Sequence, residues 1–253
     1  MSVKLCGDLQ SLQTELLSAS KMHHPNIVQL FGFTCDASIS SEEKWYLVYE
    51  FCALTLEEVL WPPHKSGRCP PETWTRLDLV RQLANAMRFL HSRNIAHRDL
   101  KVQNLLIKMC ATTPTRGARI LADADAYQLK VCDFGMARSS DEKHRSSILR
   151  GTPSYMAPEI IRNESHDSKK SDVFAFAICA HVMLTCQRPH CNMTAVEVMR
   201  RVKDEALRPS SDDVAIAGMR PILEACWAEA ENDRPPFEDI VKRLAALCEA
   251  TPE

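Results

Sequence analysis

Residues 97–104 read HRDLKVQN, and this is the stretch of the 253-residue chain that is most informative about its chemistry. This stretch carries a carboxylate at Asp99, an ammonium at Lys101 and an amide at Asn104. A carboxylate can accept the proton of a hydroxyl group, an ammonium can bind a phosphate, and carboxylate and amide oxygens are ligands for Mg²⁺. The spacing therefore predicts a site that handles a hydroxyl, a phosphate and a metal ion together.

Two further motifs follow in a fixed order, since residues 133–135 read DFG and residues 157–159 read APE. In this order and at this spacing, the three blocks resemble the signature of a eukaryotic protein kinase domain. At roughly 5% usage per residue type, chance agreement over the blocks is on the order of 10⁻¹⁰. Coincidence is therefore a negligible explanation.

The resemblance implies an α+β, two-lobed, protein-kinase-like fold, with residues 1–253 forming a single kinase domain. Residues 1–51 would form a small, incomplete β-sheet lobe with one helix, and residues 52–253 a larger, mainly helical lobe. A hydrophobic content of 45% and a charged content of 25% suit such a domain. Residues 110–127 make the interval between the first two motifs longer than the family usually shows, which predicts a surface loop insertion.

Apolar periodicity places the predicted elements along the chain. The helix that follows Pro71 is expected to bury Trp74. The other predicted helices are Leu9–Met22, Leu54–Leu60, Ser171–Thr185, Thr194–Asp204, Met219–Ala230 and Phe237–Glu249, and the predicted strands are Ile27–Phe33 and Trp45–Phe51.

The resemblance assigns the chemistry residue by residue. Asp99 would orient the substrate hydroxyl and accept its proton. Lys101 would approach the γ-phosphate, as in Ser/Thr kinases, and Asn104 would act with it in catalysis. Asn104 and Asp133 would bind Mg²⁺.

An ATP site is implied upstream of these motifs. Lys4 resembles the lysine that contacts the α- and β-phosphates, and it would pair with Glu15. A frayed lysine at the surface is the alternative for Lys4. The backbone of Glu50 and Cys52 would meet the adenine edge, with Leu106 in the same pocket.

Two loops would regulate the site and receive the substrate. Arg98 resembles an arginine that pairs with an activation-loop phosphate, and an upstream kinase would place that phosphate on Ser146 or Ser147. Solvated serines are an equal alternative. Thr152 resembles the residue that hydrogen-bonds Asp99 in Ser/Thr kinases, and it would also hydrogen-bond Lys101.

Other residues would support the site without touching the substrate. Glu159 is expected to form a buried ion pair with Arg234. Asp172 would anchor the catalytic-loop backbone, and Phe134 would pack beneath the helix of Glu15. The full supporting set is His97, Phe134, Gly135, Glu159, Asp172 and Arg234.

Composition narrows the partners and the compartment. A net charge of -2 without clustered Lys or Arg predicts no nucleic acid and no anionic membrane partner. The longest apolar run, Val173–Ala180, is far shorter than the 18 or so residues of a membrane span. The chain has 11 cysteines but no CxxC pair, which predicts reduced thiols in the cytoplasm.

The leading hypothesis is therefore an ATP- and Mg²⁺-dependent serine/threonine kinase of protein substrates, most similar to the tyrosine-kinase-like group. One departure stands against it. No GxG precedes Lys4, so the glycine-rich loop of the family is absent from these residues, which look N-terminally truncated. This favours weak nucleotide affinity and an exposed sheet edge, and it keeps a catalytically weak kinase-like interaction module as the alternative.

Overall fold

The computed structural model describes residues 2–6, 12–13, 16, 22–36, 44–63, 69–109, 127–134, 137–139 and 152–250. The strands are β1 (Ser2–Cys6), β2 (Leu30–Asp36), β3 (Lys44–Tyr49), β4 (Leu54–Thr55), β5 (Ile95–Ala96), β6 (Leu105–Met109), β7 (Tyr127–Val131) and β8 (Arg138–Ser139). The described helices are α1 (Leu56–Leu60), α2 (Thr73–Ser92), α3 (Pro158–Ile161), α4 (Ser168–Thr185), α5 (Ala195–Asp204), α6 (Arg220–Cys226) and α7 (Phe237–Ala250).

The small lobe is built on an antiparallel sheet with the strand order β1-β3-β2. Alternation along β3 turns Leu47 and Tyr49 towards the interior, where Leu47 is fully buried. Leu12, Val28 and Leu30 complete this small cluster. The small antiparallel sheet lobe predicted from the sequence is thus confirmed.

The large lobe is organised around α4, whose residues are apolar on every side. A helix of this kind must be buried all round, and α4 is buried from Ser171 to Leu184. It packs against α2 and α6. It begins at Ser168, earlier than predicted, because the Asp167 side chain caps it by accepting from the backbone N–H of Lys169 at 2.8 Å.

The two lobes are joined by backbone hydrogen bonds between residues 26–28 and β7. Val28 N–H donates to the Val131 carbonyl, and Val131 N–H donates to the Asn26 carbonyl, both at 2.9 Å. Ile27 forms a parallel bridge with Val131. The prediction of a strand from Ile27 was therefore wrong at its start, because these residues pair with the large lobe and β2 begins only at Leu30.

Several other boundaries also differ from the predictions. Leu54 and Thr55 pair with β6 as β4, so the helix starts at Leu56, where Thr55 and Glu58 form a capping box. Trp74 lies in the first turn of α2 and is 41% exposed instead of buried. Tyr127 belongs to β7 and not to the inserted interval, whose remaining residues 110–126 lie outside the described ranges.

The helix predicted over Met219–Ala230 is shorter in the structure. A 3-10 turn over Ala217–Met219 precedes α6, which ends at Cys226. The helix predicted over Leu9–Met22 falls mainly outside the described residues, although Leu12 is buried and Met22 is non-helical. Among the helices described, none has the length and apolar character needed to cross a membrane.

Candidate active site

Asp172 holds the backbone of the HRDLKVQN loop from the centre of the large lobe. Its Oδ2 accepts from His97 N–H at 2.8 Å and lies 2.9 Å from His91 Nε2, and its Oδ1 accepts from Arg98 N–H at 2.8 Å. Asp172 is 2% exposed. Because the most deeply buried helix carries this carboxylate, the loop has a rigid base.

Asp99, Lys101 and Asn104 lie together at the surface end of this loop. Lys101 Nζ donates to Asp99 Oδ2 at 2.8 Å, and Asn104 Nδ2 donates to the Asp99 carbonyl at 2.7 Å and to Oδ2 at 3.1 Å. Oδ1 of Asp99 has no hydrogen-bond partner among the described residues. One carboxylate oxygen is thus fixed by two donors while the other can accept a proton.

The DFG segment is attached to the same loop. His97 is fully buried, and its Nε2 lies 3.1 Å from the Cys132 carbonyl. The Phe134 ring lies 5.5 Å from the His97 ring and is 1% exposed within the larger core. This packing places Asp133 beside the catalytic loop.

Two residues of the candidate site have left-handed backbone conformations. Arg98 has a φ of 70° and Asp133 has a φ of 63°. Such conformations cost about 1–3 kcal/mol for residues other than glycine and are concentrated at functional sites. The backbone is held at both places: Arg98 N–H donates to Asp172, and the carbonyl of Cys132, next to Asp133, lies 3.1 Å from His97 Nε2.

Lys4 extends from β1 to the large lobe, where its Nζ lies 2.8 Å from Asp133 Oδ1. The pair brings a predicted phosphate-binding group next to a predicted metal ligand. Glu15, the partner predicted for Lys4, lies outside the described residues, as do Gly135, Ser146 and Ser147.

The segment after β3 connects the lobes, and Ser2 is bonded to it. The Ser2 hydroxyl donates to the Glu50 carbonyl at 3.1 Å, and Glu50 N–H donates to the Gln29 carbonyl at 2.9 Å. Cys52 and Leu106 pack against the small cluster from the side of the large lobe. The structure therefore places Cys52 and Leu106, two of the residues predicted to line the adenine pocket, against one cluster, and Glu50 lies two residues before Cys52.

The side chain of Glu50 has a role that the sequence did not indicate. Its Oε1 accepts from Lys130 Nζ at 2.7 Å and from Gln29 N–H at 2.8 Å, and its Oε2 accepts from Lys108 Nζ at 3.1 Å. Burial raises the pKa of Glu50, but the bonds from Lys130, Gln29 and Lys108 outweigh it and hold the pKa below its ordinary value. This carboxylate fastens the connecting segment to the β6–β7 hairpin.

The thiol of Cys52 is not activated by its surroundings. Burial raises its pKa, and the negative charge of Glu50 raises it further. A thiol with a raised pKa stays protonated at neutral pH and reacts slowly with electrophiles. Cys52 thus contributes to the pocket through packing and its backbone.

The family resemblance predicts hydrogen bonds from Thr152 to Asp99 and Lys101. Within the described part of the chain, no hydrogen bond links Thr152 to Asp99 or Lys101, and the Thr152 carbonyl accepts from Tyr155 N–H at 2.9 Å. The residue begins a 3-10 turn, Pro153–Tyr155, and this turn directs its backbone. The predicted position in the substrate loop remains a prediction.

Glu159 and Arg234 form a buried, bidentate ion pair away from the catalytic loop. The two N–O distances are 2.7 and 2.8 Å, and Arg234 is 1% exposed. Burial raises the pKa of Glu159, but the hydrogen bonds and charge of Arg234 bring it below its ordinary value. The pair holds α3 against the segment before α7.

The donor set beside Asp99 fits a hard divalent cation. Both hydrogen bonds made by the Asn104 amide use its nitrogen, so its oxygen is left to act as a ligand. Asp133 supplies a carboxylate, and the two oxygens are of the type that Mg²⁺ prefers. Asn104 and Asp133 are therefore suited to the ion predicted from the motifs.

A family model identifies the protein family of this chain. The family model described as protein tyrosine and serine/threonine kinase matches residues 5–244. The chain belongs to this kinase family. Kinases of this family use ATP and a divalent metal ion in general, and their substrates are proteins.

Relatives of this kinase are found in an amoeba and a plant. It is 31% identical to the probable serine/threonine-protein kinase drkC of Dictyostelium discoideum over 94% of its length. It is 32% identical to the serine/threonine-protein kinase CTR1 of Arabidopsis thaliana over 92% of its length, and 27% identical to the dual specificity protein kinase shkD of Dictyostelium discoideum over 94%. The chain spans 29%, 26% and 29% of the lengths of drkC, CTR1 and shkD, respectively.

Proposed function

We propose that this chain transfers the γ-phosphate of ATP to serine and threonine hydroxyls of protein substrates. The observation that carries the proposal is the geometry of Asp99. Lys101 and Asn104 fix one of its carboxylate oxygens, while the other has no hydrogen-bond partner among the described residues. A fixed carboxylate with one open oxygen suits the removal of a proton from a substrate hydroxyl.

Asp99 acts as the general base in this proposal. Its open oxygen accepts the hydrogen bond of the substrate hydroxyl and then its proton. The hydroxyl oxygen becomes bonded to the γ-phosphorus while the bond from that phosphorus to the β,γ-bridging oxygen breaks and ADP leaves. The bonds from Lys101 and Asn104 prevent the carboxylate from rotating, so the hydroxyl is oriented before reaction. Asp172 supports this step because it fixes the backbone on which Asp99 stands.

Two lysines balance negative charge around the reacting group. Lys101, next to Asp99, would stabilise charge that develops on the transferred phosphoryl oxygens. Lys4 would exchange part of its contact with Asp133 for contacts with the α- and β-phosphates. Both are ammonium groups on flexible stems, which act as point charges towards phosphate.

Asn104 and Asp133 would hold Mg²⁺, and the backbone of Glu50 and Cys52 would hold the adenine. When bound, magnesium-ATP supplies the phosphoryl group and neutralises part of its charge. The chain itself contributes oxygen ligands from two separate segments, and the hydrogen bond between His97 and the Cys132 carbonyl keeps these segments together.

Serine and threonine are the proposed acceptors for two reasons. Lys101 stands two residues after Asp99, as in kinases of this specificity, and the relatives drkC and CTR1 carry serine/threonine kinase names. Since shkD is named a dual specificity kinase, tyrosine has to be tested as well.

The test is phosphate transfer from magnesium-ATP to matched peptides that differ only in a single Ser, Thr or Tyr. We expect transfer to Ser and Thr, and an Asp99→Asn variant should lower kcat by about 10²- to 10⁴-fold. Asp78→Asn is the control, since Asp78 is also bonded to a cationic side chain, Arg81, but lies on α2. A folded wild-type chain that modifies none of the peptides would favour the interaction-module alternative.

A further inference from the structure

Arg188, in the loop after α4, is held on an aromatic platform. Its guanidinium carbon lies 4.2 Å from the centroid of the Trp61 ring, at the end of α1. Trp61 is itself fixed, because its Nε1–H donates to the Cys186 carbonyl at 2.7 Å. An arginine stacked on a fixed ring keeps its charge while losing little freedom on binding.

The platform adjoins the catalytic loop through Glu57. Glu57 Oε1 accepts from Arg188 Nη1 and from Gln103 Nε2, both at 3.0 Å. Gln103 belongs to the 3-10 turn Val102–Asn104, directly after Lys101. The side chain of Glu57 therefore links the Arg188 guanidinium to Gln103 of the loop that carries Asp99.

The same cluster reaches the segment predicted to receive the substrate. Tyr155, in the 3-10 turn that Thr152 begins, lies against the backbone of Val102. Burial raises the pKa of its phenol, and the charges of Glu57 and Arg188 act on it in opposite directions. Arg188 is thus linked to the catalytic loop through Glu57, and its charge also acts on the turn that Thr152 begins.

The two acidic residues of α1, Glu57 and Glu58, both make hydrogen bonds. Glu57 uses one oxygen for two donors, and Glu58 accepts from Thr55 N–H at 2.8 Å in the capping box of α1. The ion pair with Arg188 offsets the charge of Glu57 towards a basic substrate residue, and the capping box holds Glu58 at the start of α1. Arg188, in contrast, is 56% exposed at its side chain.

The exposed guanidinium keeps an open binding edge. Of its three nitrogens, only Nη1 is hydrogen-bonded to a described residue, and Nε and Nη2 have no such partner in the described part of the chain. The Nε–Nη2 edge is a fork that matches the two oxygens of a carboxylate or a phosphate. The chemistry it selects is an anionic side chain.

We propose that Arg188 is a specificity-determining residue that binds an anionic side chain of the protein substrate, either Asp or Glu or a phosphorylated residue, near the acceptor hydroxyl. The inference rests on the proposed kinase function, because it assumes that a peptide lies along the catalytic loop. The chain would thus prefer substrates with an acidic or phosphorylated residue near the acceptor. Glu57 and Trp61 would position the Arg188 guanidinium.

Peptide binding without nucleotide tests the proposal independently of catalysis. Fluorescently labelled peptides with one Ser acceptor in a neutral background would carry Glu, phosphoserine or Ala at successive positions around it, and anisotropy would report their affinity for the chain. We expect at least one Glu or phosphoserine position to bind about fivefold more tightly than Ala, an advantage that added salt should reduce. The two arms separate a carboxylate from a phosphate as the favoured group.

Arg188→Gln should remove this advantage, and Arg188→Lys should keep part of it. Arg200→Gln is the matched control, because Arg200 is 55% exposed and also paired with a glutamate, Glu205, but on α5. If no anionic position gains affinity, or if Arg188→Gln keeps the gain, the proposal is overturned. Failure of phosphate transfer with this pattern intact would instead count against the kinase function.

Discussion

Lys4 Nζ and Asp133 Oδ1 lie 2.8 Å apart and join strand β1 of the small lobe to the segment after β7 in the large lobe. Their side chains are 41% and 45% exposed. Ion pairs with this exposure contribute only about 0.2–1 kcal/mol to stability. The pair thus adds little to stability, and in the proposed function Lys4 and Asp133 would bind phosphate and Mg²⁺ respectively.

Lys4→Met should affect nucleotide binding far more than stability. The thermal midpoint should fall by no more than about 4 °C, because the lost pair is exposed. The affinity for magnesium-ATP, measured by calorimetry, should fall about tenfold, because a charge-assisted contact to phosphate is lost. Lys44→Met, at the exposed start of β3, is the control, and equal affinities for the two variants would support a frayed surface lysine instead.

Asp172→Asn should destabilise the large lobe and slow catalysis together. The new amide nitrogen is itself a donor, and it would face an N–H group that now donates to the carboxylate. Buried donors would then lack an acceptor, at a cost of about 2–3 kcal/mol. Urea unfolding would measure this loss, and kcat would fall because Asp99 loses its support. Asp167→Asn is the control and should change little, since Asn caps the start of a helix about as well as Asp does. A stable but slow Asp172→Asn variant would show that the carboxylate acts beyond anchoring.

The two lysines bound to Glu50 should differ in their importance. Lys130 is 7% exposed and Lys108 is 46% exposed at the side chain. Lys130→Met would leave a buried carboxylate short of its closest partner and should cost about 3 kcal/mol, whereas Lys108→Met should cost less than about 1 kcal/mol. Chemical denaturation of the two variants under one buffer gives the comparison, and similar losses would mean that burial does not govern this cluster.

Glu159 should make stability depend on pH in the acid range. Its folded-state pKa lies below the ordinary value of 4.5, so its contribution is present above about pH 4.5 and is lost as the pH falls through the folded-state pKa. Glu159→Gln should therefore be much less stable than wild type at pH 7, and the difference should shrink below pH 4.5. Thermal midpoints across pH would show this.

Glu205→Gln controls for the loss of a surface charge. Glu205 also bonds two arginines, Arg200 and Arg201, but at the exposed C-terminal cap of α5. Its replacement should leave the midpoints close to those of wild type throughout. A pH-independent deficit in Glu159→Gln would instead point to lost packing.

The sequence predicted the grouping of the candidate catalytic residues because they are close in the chain. Asp99, Lys101 and Asn104 belong to one short loop, so their motif already fixes their neighbourhood. The two-lobed fold followed from the same motifs, and α4 followed from its continuous apolar run. Helix starts were less accurate, because caps such as Asp167 and Thr55 depend on one side-chain bond.

The remaining features depend on residues that are distant in sequence. Glu50 meets Lys108 and Lys130 across 58 and 80 positions, and Arg188 meets Glu57 across 131. No local periodicity reports such contacts. Ile27 was assigned to a strand of the small lobe for the same reason, since its partner in the large lobe, Val131, is visible only after folding.

The register of the β6–β7 hairpin has a consequence for engineering and for evolution. Met109 and Tyr127 are direct partners, so the two residues that flank the interval 110–126 lie only about 5 Å apart. Each doubling of such a closed interval costs only about 0.6 kcal/mol in chain entropy. An insertion closed by this pair is therefore expected to cost little chain entropy, and Asn104 and Asp133 lie at the far end of the same hairpin.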